Sequence, residues 1–106
     1  MLEQCCYNSV VGQVAADFDW DDANARHLAL HNVTQGEAEQ AILDPHAALL
    51  EIQGGGNAER VKALGMTAAG RVLTVIFTFR GDAMRPITAY TASTRLQELY
   101  FKQRAT

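Results

Sequence analysis

The sequence predicts an α+β domain: a short N-terminal strand and two helices, then a four-stranded antiparallel meander and a C-terminal helix. Three observations carry that expectation. Helix-start signals crowd residues 21–37, segments of strand period separated by glycine-bearing turns fill residues 47–90, and helical spacing returns after Ser93. A chain of 106 residues with 48% hydrophobic content is one domain, large enough for a core that needs neither disulfide nor metal.

The elements follow in order. Residues 1–14 form an extension in which Val10, Val11 and Val14 would add a short strand or remain a tail. Ala15–Trp20 alternates weakly and reads as the first strand, with Trp20 a core anchor. Asp21 or Asp22 offers an N-cap carboxylate to a helix running to about His31, whose apolar stripe is Ala25, Leu28 and Ala29. That helix is short and contains Asn24 and His27, so packing must stabilise it. Thr34-Gln35-Gly36-Glu37 is a capping box opening a second helix that buries Ala38, Ala41, Ile42 and Pro45. Asp44-Pro45 ends it, because proline pushes its predecessor out of α geometry.

The period then changes. Ala47–Ile52 reads as a strand with Leu50 and Ile52 on one face and Leu49 on the other. Gly54-Gly55-Gly56-Asn57 connects it to a returning strand, Arg60–Met66, and residues 68–71 make the next turn. Val72–Phe79, with Phe77 and Phe79, is the strongest strand signal, and its near-continuous apolar character fits a central strand. Gly81-Asp82 turns it into Met84–Tyr90, where Pro86 suits a sheet edge because it has no N–H to donate. Ser93 or Thr94 caps a last helix to about Gln103, with Leu96, Leu99 and Tyr100 inward.

A formal charge of −3 argues against an overall basic field, so any nucleic-acid surface must gather its cations locally. They are gathered: Arg26 alone precedes Arg60, Lys62, Arg71, Arg80, Arg85, Arg95, Lys102 and Arg104. Cys5 and Cys6, the two cysteines, are adjacent and read as reduced thiols rather than a disulfide framework. With no apolar run of membrane-spanning length and no secretory pattern, the expected compartment is the cytoplasm, with no membrane partner.

Chemistry concentrates in the arginines. Arg71 enters the central strand, Arg80 leaves it and Arg85 begins the next, so Arg80 and Arg85 flank one hairpin and can converge on one anion. Arginine suits a phosphate because its planar donors fork onto the oxygens. The plain alternative is solvation, or pairing with Glu51, Glu59 and Asp82. His31 is a candidate for proton transfer, since imidazole changes charge near neutral pH, against a plain role complementing a helix C-terminus. His27 and His31 share a helix face at zinc-chelating spacing, with Cys5, Cys6 or His46 conceivable as a third ligand; two ordinary surface histidines are the preferred reading.

The layout Phe18-Asp19-Trp20-Asp21, His31-Asn32-Val33, Asp44-Pro45 and then arginine-punctuated strands resembles the BrnT family over roughly residues 18–100. The resemblance implies a RelE-like fold and a small toxin that blocks translation by metal-independent RNA cleavage and is silenced by a cognate antitoxin. It needs no cofactor. Arg71 and Arg85 match family arginines, and with Arg80 would stabilise charge developing on the phosphate, while His31 would move protons. Tyr90, Arg95 and Tyr100 would contact substrate. Where members carry an asparagine, a lysine before the histidine and a glycine after it, this chain has His27, Leu30 and Asn32. Their Ile-Ser-Ala-Arg reads Ile87-Thr88-Ala89-Tyr90, and the basic start of their last helix reads Thr94-Arg95-Leu96-Gln97. These changes support a competing expectation, a catalytically degenerate protein-binding module on the same fold. A homodimer or a toxin–antitoxin hetero-oligomer is the expected assembly.

Overall fold

A computed structural model describes residues 17–54 and 59–105. Helices α1 (Asp22–Ala29) and α2 (Gln35–Leu43) precede strands β1 (Ala48–Gln53), β2 (Arg60–Met66), β3 (Val72–Arg80) and β4 (Ala83–Thr91), and α3 (Thr94–Arg104) closes the chain. The sheet is an antiparallel meander in the order β1-β2-β3-β4. The α+β expectation therefore holds, with β3 central and Pro86 on an edge strand.

The sheet separates two apolar clusters. On one face α1 and α2 bury Leu28, Val33, Ala38 and Ala41 against Val61, Ala63, Leu73, Val75, Phe77 and Ala89, with Trp20, Ile42 and Met84 packed alongside. On the other, Tyr100 of α3 packs with Leu64, Val72 and Ala92. Small residues let α2 lie close to the sheet. A Cβ added to Gly65 would sit 1.9 Å from the Ala41 carbonyl oxygen, so glycine is required there.

Both helix-start signals form. Asp21 caps α1 in a capping box with Asn24, and Thr34 caps α2 in one with Glu37. Ser93 caps α3. Several details differ from expectation. α1 ends at Ala29, two residues early, because the chain turns through Asn32 at φ 59°, a left-handed conformation that asparagine tolerates. Ala29 is exposed in so short a helix, as is Pro45, which follows the end of α2. A bulge between Leu49 and Glu51 breaks the alternation of β1. Leu50 thus joins the α3-side cluster, whereas Ile52 opposes Val61 at the sheet edge and stays 56% exposed. Leu99 is also largely exposed, because Leu96 and Tyr100 already carry the contact with the sheet.

Of the expected first strand, residues 15–16 lie outside the described residues, and the rest makes a single parallel bridge, Phe18 to Met84. Asp19 N–H donates to Met84 and Met84 N–H to Asp17. The readings of residues 1–14, of Cys5 and Cys6, and of most of the glycine connection also fall outside the described residues. No described helix is long and apolar enough to cross a membrane.

Candidate active site

The functional residues expected from sequence lie mostly where α1 runs beside the outer edge of β4. Asn24 organises this junction. Its side-chain oxygen accepts the Asp21 N–H at 2.8 Å, and its amide donates to the carbonyls of Asp19 at 3.0 Å and Pro86 at 2.8 Å. The buried amide thus ties the start of α1 to the strand that carries Arg85. Sequence reading treated Asn24 only as a weak helix former; the signal was the Asp21-x-x-Asn24 capping spacing.

Arg80 and Arg85 converge, as the hairpin implies, and the anion between them is Asp19. Asp19 Oδ2 lies 3.2 Å from Arg80 Nη1 and 3.5 Å from Arg85 Nη1. Arg85 also reaches Asp21 through Nη2 at 2.9 Å. The Asn24 backbone N–H, followed by Arg85, holds the Asp21 carboxyl below its ordinary value against the opposing effect of burial. The partners of these arginines are accordingly Asp19 and Asp21, not Glu51, Glu59 or Asp82. Arg80 remains 67% exposed, and Arg85 is 16% exposed. Beside Arg85, a shallow depression is lined by Ala23, Asn24, His27 and Ile87.

The other end of β4 holds a second junction. His31 stacks obliquely between His27, 5.9 Å away, and Tyr90, 6.0 Å away, measured between ring centres. Arg71 reaches the backbone beside His31 and the side chain beside Tyr90: Nη1 donates to the Asn32 carbonyl at 2.7 Å, and Nη2 to Thr91 Oγ1 at 2.9 Å. Nη1 also pairs with Glu37 at 3.2 Å. The Thr34 backbone N–H and then Arg71 hold the Glu37 carboxyl below its ordinary value, outweighing burial. From Arg85 to Thr91 the strand spans about 20 Å at ~3.3 Å per residue, so the two junctions are separate places on one edge.

One expected residue, Tyr100, does not join them. Tyr100 is fully buried on the α3 side of the sheet, and its hydroxyl donates to Asp44, which also accepts the N–H groups of His46 and Met66. Burial and this carboxylate both push the Tyr100 hydroxyl pKa up. Arg95 is exposed in the first turn of α3. The α3-side face of the sheet also carries Arg60 and Lys62, which line a shallow groove with Glu51, Gln53 and Ile76. Among the described residues neither cation has an ion pair, and sequence reading counted them only among the gathered cations, with no place in the site. Among the described residues no three His, Cys, Asp or Glu side chains are grouped to hold a metal.

The family model for the ribonuclease toxin BrnT of type II toxin–antitoxin systems matches residues 20–95. The chain belongs to the BrnT family. No curated protein matches it. The match runs from Trp20 to Arg95 and so includes Arg71, Arg80 and Arg85, with Asp19 just outside it. Family membership implies an antitoxin protein as partner and RNA as target.

Proposed function

We propose that this BrnT-family chain is a cytoplasmic, RelE-like endoribonuclease toxin that blocks translation by cutting RNA without a metal, and that its working surface is the α1/β4 edge. The observation that carries this reading is the convergence of Arg80 and Arg85 on a single carboxylate, which shows that two guanidinium groups can share one anion there. In RNA cleavage the ribose 2′-hydroxyl gives up its proton and attacks the adjacent phosphorus. The bond to the 5′-oxygen of the next nucleotide breaks, that oxygen takes up a proton, and charge develops on the phosphate oxygens meanwhile. Arg80 and Arg85 supply the electrostatic complement to that charge. His31 and Tyr90 belong to the other junction and meet the RNA strand further along the edge. There Tyr90 bonds a neighbouring phosphate or stacks on a base, and His31 would move a proton only for a phosphate seated at that end. Arg71, 27% exposed, adds positive charge and positions the His31 turn and Thr91. Tyr100 drops out of this reading as a substrate contact because it is buried on Asp44, whereas Arg95, exposed in the first turn of α3 just after β4, stays in it as a cation for the RNA backbone. A cognate antitoxin covering this edge would silence it.

One observation favours a second reading. Arg71, Arg80 and Arg85 each have a carboxylate neighbour, as expected of a binding module that has kept the fold and lost the reaction. Tightly induced expression in a bacterial host separates the two, with total RNA examined on a gel. The toxin reading predicts growth arrest and RNA loss for the wild type and neither for Arg80→Ala/Arg85→Ala. Normal growth with intact RNA and soluble wild-type protein would leave only the binding module.

A further inference from the structure

We propose that Asp19 is a built-in occupant of the phosphate seat: its carboxylate sits between Arg80 and Arg85, and a single-stranded RNA phosphodiester enters by displacing it. The inference rests on the reading of the α1/β4 edge as the RNA site, and it concerns how that site is kept closed.

The fit between Asp19 and the two arginines is electrostatic but poor in hydrogen bonds. One oxygen, Oδ2, faces Arg80 Nη1 at 3.2 Å and Arg85 Nη1 at 3.5 Å. Yet Asp19 Oδ2 and Arg85 Nη1, both shielded from solvent, make no directed hydrogen bond. A well-matched arginine–carboxylate pair uses two parallel N–H···O bonds. Here a single oxygen is asked to serve two guanidinium groups, and it serves neither fully. A phosphodiester carries two non-bridging oxygens and can offer each guanidinium its own acceptor.

The neighbouring carboxylate behaves differently. Asp21 accepts the Asn24 N–H at 3.1 Å with one oxygen and pairs with Arg85 Nη2 at 2.9 Å with the other. It holds one edge of the Arg85 guanidinium and leaves Nη1 turned towards the seat. Asp19 can leave without disturbing the fold, because its backbone is pinned independently. Its N–H donates to Met84, and its carbonyl accepts the Asn24 amide. Its side chain is 28% exposed, so a rotamer change carries the carboxylate towards water. Asp19 thus sets the affinity of the seat, while Asp21 sets its geometry.

The opposite possibility, that Asp19 merely holds the arginines in place, predicts the opposite result. The test is binding of a 2′-O-methyl single-stranded RNA oligonucleotide, which cannot be cut, to purified protein over a range of salt. Asp19→Asn and Asp19→Ser should each bind about tenfold tighter than wild type. Their affinity should fall more steeply with salt, by about 0.7 in log–log slope for each further phosphate neutralised. The gain should vanish when Arg80→Ala/Arg85→Ala is combined with either substitution. Folded Asp19 variants, judged by melting, that bind no tighter than wild type overturn the proposal while leaving the RNA site standing. Wild-type binding by Arg80→Ala/Arg85→Ala alone would overturn the site, and this proposal with it.

Discussion

The two arginine junctions on β4 are built to different standards. At the Thr91 end, every nitrogen of Arg71 is hydrogen-bonded: Nε and Nη2 to Thr91, Nη1 to Asn32 and Glu37. At the other end, Arg80 is mostly exposed and Arg85 keeps Nη1 without a directed partner. Both are arginine–carboxylate clusters, and sequence alone treats them alike. The difference teaches that a guanidinium whose nitrogens are all matched serves the fold first. One that is held at one edge and open at the other is available to a ligand.

Substitutions can break this comparison, and the largest effect belongs to the packed side. Gly65→Ala forces a methyl into the Ala41 backbone where α2 meets β2, and should cost about 3 kcal/mol or more, the upper range for overpacking. The midpoint of denaturant unfolding reads it. Arg71→Ala comes next: it leaves Glu37 and the Asn32 carbonyl without their cation, and should cost about 2 kcal/mol. Any loss of RNA cleavage in that variant should therefore come with a lowered melting temperature. Arg80→Ala removes one exposed ion pair and should change stability by about 0.5 kcal/mol or less. A fall in melting temperature for Arg80→Ala as large as that for Arg71→Ala would erase the distinction.

A pH experiment probes a further carboxylate, under α3, that is as fully matched as the Arg71 junction. Burial raises the Asp44 carboxyl, but the Tyr100 hydroxyl and the His46 and Met66 N–H groups outweigh it and hold the group below its ordinary value. Folding therefore favours the ionised carboxylate. The stability it adds is fully present above the unfolded carboxylate's pKa and is lost as pH falls through the lower folded value. Tyr100→Phe should lower stability by about 1 kcal/mol at neutral pH and less in acid, where Asp44 is protonated in both proteins. An equal loss at both pH values would remove Asp44 from the account.

Legibility in the sequence divides along physical lines. The helix starts were readable, because Thr34-x-x-Glu37 and the Ser93 cap are local chemistry, and the meander followed from strand period and glycine turns. Exposure of Ile52 and Leu99 was not readable, because it depends on a bulge in β1 and on which residues of α3, Leu96 and Tyr100, take the contact with the sheet. For the site, the meeting of Arg80 with Arg85 was visible in the hairpin spacing. Their partner Asp19 was not, because it arrives through a bridge between Phe18 and Met84, residues distant in the chain. The burial of Tyr100 on Asp44 is likewise a long-range pairing, and helical spacing could place it only as inward-facing.

The most direct test of the account is RNA cleavage by purified Arg80→Ala/Arg85→Ala beside wild type, with both melted under the same conditions. The account predicts a loss of cleavage on the order of 100-fold or more, the scale for removing transition-state charge stabilisation, with a nearly unchanged melting temperature. Wild-type cleavage by the folded double variant would contradict it, and would move the search for the site to the Arg60 and Lys62 face of the sheet.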